Sequence, residues 1–137
     1  MLRIAAEGDV SAMLAIYRPY VLTSTATFEY NPPDEEEFLR RYRDVTARFP
    51  WLLWEEDGQI LGYAYASLPF TRAAYAWCAE PTIYLCPQAR GKGIGKALYD
   101  ALEAILDAQG YCLLYSLVCG ENENSMRFHE KRGYRTV

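Results

Sequence analysis

The stretch Ile83-Tyr84-Leu85-Cys86-Pro87-Gln88-Ala89-Arg90-Gly91-Lys92-Gly93-Ile94-Gly95 decides the fold, because an apolar strand runs into a glycine-rich loop that opens a helix. Three glycines within five positions let the backbone approach a ligand closely, with several N–H groups pointing at one place. Arg90, Lys92 and Lys96 add positive charge around the same point. This combination is typical of a loop that binds a diphosphate.

Two common phosphate-binding motifs do not fit this loop. The Walker pattern G-x-x-x-x-G-K-[ST] fails, because Arg90 stands where its first glycine belongs and Ala97 follows Lys96. The Rossmann pattern G-x-G-x-x-G fails on its last spacing. The pattern R-x-x-G-x-G does fit, with Arg90, Gly93 and Gly95 at its fixed positions.

The surrounding sequence predicts a single domain in which strands and helices alternate. Before the loop we expect a short strand at residues 2–5, a helix with Asp9 as N-cap that ends near Pro19 or Tyr20, strand-like residues 23–30, a helix from Asp34, and a hairpin of strands around Asp57-Gly58. A further strand over residues 75–86 contains Pro81, which indicates a bulge or a local parting of strands. After the loop we expect a helix over 93–108, a strand over 112–119, a helix over 122–132 and the start of a strand at Tyr134.

Composition limits the function classes. The 137 residues, 51% of them hydrophobic, are enough for one domain with a real core. The charge balance of 14 − 18 = −4, with no basic stripe, argues against a nucleic-acid partner. No apolar run approaches the roughly 20 residues needed to cross a bilayer, and the N-terminus lacks a signal-peptide core, so we expect a cytoplasmic protein away from membranes. The four cysteines, which include no C-x-x-C pair, are expected to be buried free thiols and not metal ligands: Cys78, Cys86, Cys112 and Cys119.

With these motifs in view, residues 83–95 resemble the acetyl-coenzyme A signature of the GNAT acetyltransferase superfamily. Longer stretches resemble its phosphinothricin and methionine sulfoximine acetyltransferase branch: Ile16-Tyr17, Tyr20-Val21, Thr25-Ala-Thr-Phe28-Glu29, Gly62-Tyr-Ala-Tyr65, Arg72-Ala-Ala-Tyr75 and His129-Glu-Lys-Arg-Gly-Tyr134. The resemblance implies an α/β (α+β) GNAT fold, a mixed and mostly antiparallel sheet with splayed central strands that hold the coenzyme. It also implies that the sheet lacks a C-terminal strand that relatives have.

The resemblance assigns the coenzyme contacts. The pantetheine arm is expected to bond to backbone groups of Ile83, Tyr84 and Leu85. The pyrophosphate is expected to lie on the loop and the first helical turn, formed by Arg90, Gly91, Lys92, Gly93, Ile94, Gly95 and Lys96. Asn122 is expected to contact the coenzyme near its reactive end, although an asparagine there could simply cap the helix.

The resemblance also assigns the chemistry. Glu80, just before the coenzyme-contacting strand residues, is the expected general base and is expected to act through a water molecule. A carboxylate between Ala79 and Pro81 is also expected to have a raised pKa. His129 stands where many GNAT enzymes have a tyrosine that donates to the coenzyme A sulfur. A solvent-facing glutamate and a surface histidine are the alternative interpretations.

For the acceptor, Arg72, Tyr75 and Phe28 are expected to hold a small amino-acid-like amine, with Arg72 as the partner of a carboxylate. Glu29 and Tyr63 are further candidates for the wall of that site, although the alternative for the aromatic residues is a place in the core or at a dimer contact. The alternatives are a GNAT acting on a polyamine, an aminoglycoside or a protein N-terminus, or a module that binds acetyl-coenzyme A without turnover. By resemblance we expect a homodimer.

Overall fold

A computed structural model describes residues 1–23, 27, 29–69, 77–118 and 122–137. Within these ranges one sheet of five strands has the order β1-β2-β3-β4-β5. The first four strands are antiparallel neighbours, and β5 runs parallel to β4. The strand bounds are Leu2–Ile4 for β1, Trp51–Glu56 for β2, Gln59–Ser67 for β3, Cys78–Leu85 for β4 and Leu113–Leu114 for β5.

Four α-helices in the described ranges cover the two faces of the sheet. Their bounds are Val10–Thr23 for α1, Glu35–Thr46 for α2, Ile94–Ala108 for α3 and Glu123–Lys131 for α4. Short 3₁₀ helices occupy Glu7–Asp9 and Pro87–Ala89. Side chains alternate between the faces of a strand, and β3 shows this directly: Tyr63 packs with α1 and α2, whereas Ala64 packs with α3.

Local sequence signals account for the best predicted elements. Asp57 and Gly58 both have positive φ, 51° and 76°, as the hairpin turn between β2 and β3 requires. The Asp34 side chain accepts a 2.8 Å hydrogen bond from the Glu37 N–H and so caps α2. Gly110 and Gly133, with φ of 92° and 93°, follow the ends of α3 and α4. These predictions are confirmed.

Two predicted boundaries of the first helix are wrong, because side-chain contacts that the helical pattern does not show decide them. Asp9 lies in a 3₁₀ helix and pairs at 2.8 Å with Arg3, so it is not the N-cap of α1. Helix α1 continues through Pro19 to Thr23, whose hydroxyl donates to the Pro19 carbonyl.

Three of the predicted strands are also missing or short. Glu29 and Tyr30 belong to no strand, and the rest of residues 24–28 apart from Thr27 lie outside the described residues. Tyr134 begins no strand and instead directs its hydroxyl to Glu103 at 3.3 Å. Strand β5 has two residues, where eight were predicted over 112–119.

The cysteines divide by burial. Cys78 is buried as predicted, Cys86 is half-buried, and Cys112 is exposed because β5 is the edge of the described sheet, which corrects the prediction for that residue. Cys119 lies outside the described residues. In the ranges that the structure covers, no helix has the length and apolar character that crossing a bilayer requires.

Gly62 allows β3 and β4 to approach each other next to Leu85. A Cβ at Gly62 would lie 2.4 Å from Leu85 Cδ2 and 3.2 Å from the Tyr84 carbonyl oxygen. We therefore expect Gly62→Ala to lower the free energy of unfolding by about 1–3 kcal/mol, the usual effect of overpacking a core. Urea denaturation measures this, with Gly8→Ala as the control, because a Cβ at Gly8 meets nothing within 4 Å. Equal midpoints for the two variants would contradict the prediction.

Candidate active site

A gap opens between β4 and β5 at one end of the sheet. The two strands pair only at Cys78 with Leu113 and at Ala79 with Leu114. One more bond follows, in which the Tyr115 N–H donates to the Ala79 carbonyl at 2.9 Å. Strand β4 continues to Leu85, but no further residue of the described part of β5 accompanies it. The gap thus has its vertex beside Ala79 and Glu80.

The register of β3 and β4 decides which backbone groups face the gap. The Cys86 N–H donates to the Leu61 carbonyl in β3, so Tyr84, two residues earlier, also turns its backbone towards β3. Ile83 and Leu85 then turn theirs towards the gap, and the Leu85 carbonyl already accepts a 2.5 Å bond from the Tyr20 hydroxyl. Of the three residues predicted to meet the pantetheine arm, Ile83 and Leu85 therefore present backbone groups to the gap and Tyr84 does not.

Pro81 also faces the gap through its backbone. It pairs with Ala66 in a continuous register, so the bulge predicted at Pro81 is absent from the β3–β4 ladder. By the same alternation its nitrogen points away from β3, where the missing N–H costs no bond of that ladder. The predicted parting of strands occurs on the other side, between β4 and β5.

The glycine loop lies where β4 leads into α3. Gly91 and Gly93 have φ of 77° and 76°, in the left-handed region that favours glycine, and a Cβ at either would meet nothing within 4 Å. Gly93 is the N-cap of α3, so the first free N–H groups of this helix point into the open space. Exposed Arg90 and Lys92 flank it. This cradle fits a pyrophosphate.

The first turn of α3 differs from the loop in its environment. Ile94 and Gly95 are buried, and a Cβ at Gly95 would lie 3.4 Å from Leu85 and 3.5 Å from Phe128. Lys96 is exposed and forms a 2.7 Å ion pair with Asp100, one helical turn later. Lys96 would have to exchange this partner to reach an anion at the loop.

Glu80 is half-buried at the vertex of the gap. It pairs with Ser67 across the ladder, and the Ser67 hydroxyl lies 3.5 Å from Glu80 Oε2. Burial raises the pKa of the Glu80 carboxyl above its ordinary value, and the Ser67 hydroxyl opposes this rise. By alternation along β4, Glu80 is on the same face as Tyr84, which packs against α1. A half-buried carboxyl with a raised pKa suits a base that works near neutral pH.

His129 is buried on the opposite side of the sheet, with 6% of its surface exposed, so it is not a surface histidine. Its Nδ1 lies 2.7 Å from the Ser125 carbonyl oxygen. Its Nε2 lies 2.8 Å from the Tyr99 hydroxyl and 2.9 Å from the Ser116 hydroxyl. Both ring nitrogens are therefore engaged by protein groups. Arg132 covers the Tyr99 ring, with Cζ 5.2 Å from the centroid.

Asn122 caps α4. Its side-chain oxygen accepts a 3.2 Å hydrogen bond from the Ser125 N–H. Asn122 is therefore the helix cap that was the alternative to a coenzyme contact. The side-chain amide nitrogen takes no part in this cap.

The acceptor side is only partly described, because Phe28, Arg72 and Tyr75 lie outside the described residues. Glu29 is anchored: Arg41 Nη2 lies 2.5 Å from its Oε1, and the Tyr17 hydroxyl donates to its other oxygen. The Arg41 guanidinium lowers the pKa of Glu29, so this carboxylate stays charged.

Tyr63, the other candidate for the wall, is 1% exposed and stacks on Trp51 with ring centroids 5.6 Å apart. It is a core residue, which corrects that interpretation. Sequence reasoning missed Arg41, Tyr99 and Ser116. Arg41 is one of several charged residues of its helix, Tyr99 is one of twelve tyrosines in the chain, and no motif includes Ser116.

Comparison with known proteins agrees with this geometry. The sequence matches the model of the Acetyltransferase (GNAT) family over residues 12–134. It is 33% identical to the phosphinothricin N-acetyltransferase of Streptomyces viridochromogenes over 97% of this chain and 73% of that protein. It is 28% identical to an L-methionine sulfoximine/L-methionine sulfone acetyltransferase of Salmonella typhimurium, over 97% and 78%. The crystal structure of a phosphinothricin acetyltransferase from Sinorhizobium meliloti in complex with AcCoA superposes with a TM-score of 0.94 at 38% identity, covering 98% of this chain and 74% of that one.

The split sheet, the glycine cradle and these matches define an acyl-transferring enzyme that takes its acyl group from coenzyme A. The chain belongs to the GNAT acetyltransferase family. The predicted fold, the predicted enzyme class and acetyl-coenzyme A as co-substrate are confirmed. Among the residues that the structure describes, no three histidine, cysteine or carboxylate side chains form a cluster that could hold a metal ion.

Proposed function

We propose that this chain transfers the acetyl group of acetyl-coenzyme A to the amino group of a small amino-acid-like acceptor, by direct attack of the amine on the thioester. The observation that carries the proposal is Glu80, a half-buried carboxyl with a raised pKa at the vertex of the gap that suits the coenzyme. The relatives named for phosphinothricin and methionine sulfoximine support an acceptor of that class.

In the proposed binding mode the pantetheine arm lies along β4 and bonds to the gap-facing backbone of Ile83 and Leu85. The pyrophosphate lies on Gly91, Gly93 and the α3 N-terminus, with Arg90 and Lys92 beside it and Lys96 within reach. Aligned N–H groups at a helix N-terminus favour such an anion.

The proposed chemistry divides between the two faces of the sheet. Glu80, on the α1 and α2 face, takes a proton from the acceptor ammonium, directly or through water, so that a neutral amine attacks the carbonyl carbon. His129, on the α3 and α4 face, supports the departure of the coenzyme A sulfur as the leaving group. Because base and leaving group are on opposite faces, the amine and the thiolate need not compete for the same space.

For the acceptor, Arg72 is proposed to bind the carboxylate, with Tyr75 and Phe28 beside the side chain. These roles rest on the resemblance alone. The ion pair between Glu29 and Arg41 fixes the end of the α1–α2 connection to helix α2.

A panel of amines tests the proposal, with release of coenzyme A as the measured signal. We expect turnover with phosphinothricin, methionine sulfoximine, methionine sulfone or an ordinary amino acid, and at most about a tenth of that rate with polyamines, aminoglycosides or a peptide N-terminus, because the latter lack a free carboxylate beside the amine. Preference for a polyamine would contradict the acceptor class. Binding of acetyl-coenzyme A without turnover of any amine would favour a sensing module.

We also propose that the chain acts in the cytoplasm as a homodimer and as one transferase domain. Sedimentation velocity of the purified chain tests the dimer, and a single monomeric species at micromolar concentration would contradict it.

A further inference from the structure

The hydroxyl groups of Tyr99 and Ser116 both lie within hydrogen-bond distance of His129 Nε2. A backbone carbonyl can only accept, so the 2.7 Å contact with the Ser125 carbonyl places a proton on Nδ1. In the neutral ring Nε2 then has one lone pair, which accepts one hydrogen bond well. Tyr99 and Ser116 both lie within 2.9 Å of it, so only one of them can donate to Nε2 at a time.

The burial of the two hydroxyls decides which one donates. Tyr99 is 0% exposed, and burial raises the pKa of its hydroxyl while a hydrogen bond from Ser116 opposes this rise, so Tyr99 keeps its proton and is the donor to His129. Ser116 is half-buried, and its short side chain can rotate. The hydroxyl of Ser116 is therefore the one that can turn its hydrogen towards another acceptor.

Ser116 is also at the right place along the chain. The last bond between the two parting strands is donated by Tyr115, and Ser116 is the next residue. It thus stands at the vertex of the gap opposite Glu80. Its hydrogen bonds with Tyr99 of α3 and His129 of α4 put its side chain on the face away from the proposed base.

We propose that the Ser116 hydroxyl donates a hydrogen bond to the coenzyme A sulfur as the thioester breaks, and that His129 and Tyr99 hold it in position. This inference rests on the proposed function. As the new C–N bond forms, the C–S bond breaks and its electron pair stays on sulfur. Glu80 has taken one proton from the acceptor ammonium before the attack, and the second proton that nitrogen loses as the amide forms passes to water, so that coenzyme A departs as the thiolate. Ser116 keeps its proton and stabilises the thiolate by hydrogen bonding only.

The thiol pKa of bound coenzyme A tests this, because it can be measured without an acceptor. The pH of the full chain with bound coenzyme A is varied while the ultraviolet absorbance of the thiolate is followed. Calorimetry gives the dissociation constant of coenzyme A for each variant. We expect Ser116→Ala to raise the pKa of the bound thiol by about one unit, the effect of losing one hydrogen bond to a charged group. Ser116→Thr, which keeps the hydroxyl, should stay near the wild-type value, and kcat should fall about tenfold in the alanine variant only.

A double-mutant cycle separates this role from a structural one. Tyr99→Phe leaves Nε2 without its buried donor, so Ser116 should turn back to His129, and the pKa of the bound thiol should rise as well. Ser116→Ala should then add little in the Tyr99→Phe background. An unchanged thiol pKa in Ser116→Ala, with coenzyme A still bound, would overturn the role of Ser116 and leave the transferase intact. Failure of the wild-type chain to bind coenzyme A would overturn the proposed function itself.

Discussion

Glu80→Gln is expected to lower kcat by about 100-fold or more, because general-base catalysis contributes about 10²–10⁴-fold and an amide cannot accept the proton. Glutamine has the same shape, so the dissociation constant for acetyl-coenzyme A should change less than about twofold. Steady-state kinetics with the best acceptor of the panel and calorimetry with acetyl-coenzyme A measure the two quantities. Turnover equal to that of the wild type would remove Glu80 from the mechanism.

The pH profile of the wild-type enzyme gives a second measure of the same residue. The base must be ionised to act, and burial raises the pKa of Glu80. The acidic limb of kcat/KM should therefore lie above the ordinary range of a glutamate. Glu80→Gln should lose this limb along with most of its activity.

Stability should change in the opposite direction to activity. Between the ordinary pKa of Glu80 and its raised folded value, the folded state binds more protons than the unfolded state. The free energy of unfolding contributed by Glu80 therefore falls as the pH rises through that interval. At neutral pH the ionised carboxylate is disfavoured by burial, so Glu80→Gln should have a higher Tm than the wild type.

Gly93→Val is expected to raise the dissociation constant for acetyl-coenzyme A by about 100-fold, or about 2.7 kcal/mol. Gly93 has φ of 76° at the N-cap of α3, where a β-branched residue is strongly disfavoured. Relaxing that strain would turn the N–H groups of the helix N-terminus away from the pyrophosphate. The valine side chain would also fill the open space beside them.

Gly58→Val provides a matched control. Gly58 has the same φ of 76° and the same open surroundings, but it lies in the turn between β2 and β3. Each variant should lose about 1–2 kcal/mol of folding free energy, whereas only Gly93→Val should lose affinity for the coenzyme. Equal affinities of the two variants would mean that Gly93 is needed for folding alone.

The elements that could be predicted from the sequence are those with a local cause. The turn at Asp57 and Gly58 depends on the positive φ of two adjacent residues, and the start of α2 depends on one side chain, Asp34, that bonds three residues ahead. By contrast, α1 passes through Pro19 because the helix packs on the sheet along its whole length, and packing outweighs one lost bond. The local sequence pattern does not show whether packing on the sheet outweighs the hydrogen bond lost at a proline.

The same distinction applies to the site. The glycine loop and Glu80 occupy contiguous sequence, so they could be found from spacing and resemblance. Ser116 and Tyr99 meet His129 from 13 and 30 residues away, which only the packing of α4 on α3 brings about. A serine has no periodicity that would mark it, and a tyrosine on a helix stripe looks like any other core residue.

Pro81 has one more consequence. A parallel neighbour that tried to close along β4 would find no donor at this position and could not complete its ladder. No hydrogen bonds between strands therefore have to break at this edge of β4 before a coenzyme binds. The free-energy cost of leaving the edge unpaired is part of the folding free energy. Coenzyme binding at such an edge loses little conformational entropy in the protein, which favours fast association and an affinity governed by the contacts themselves.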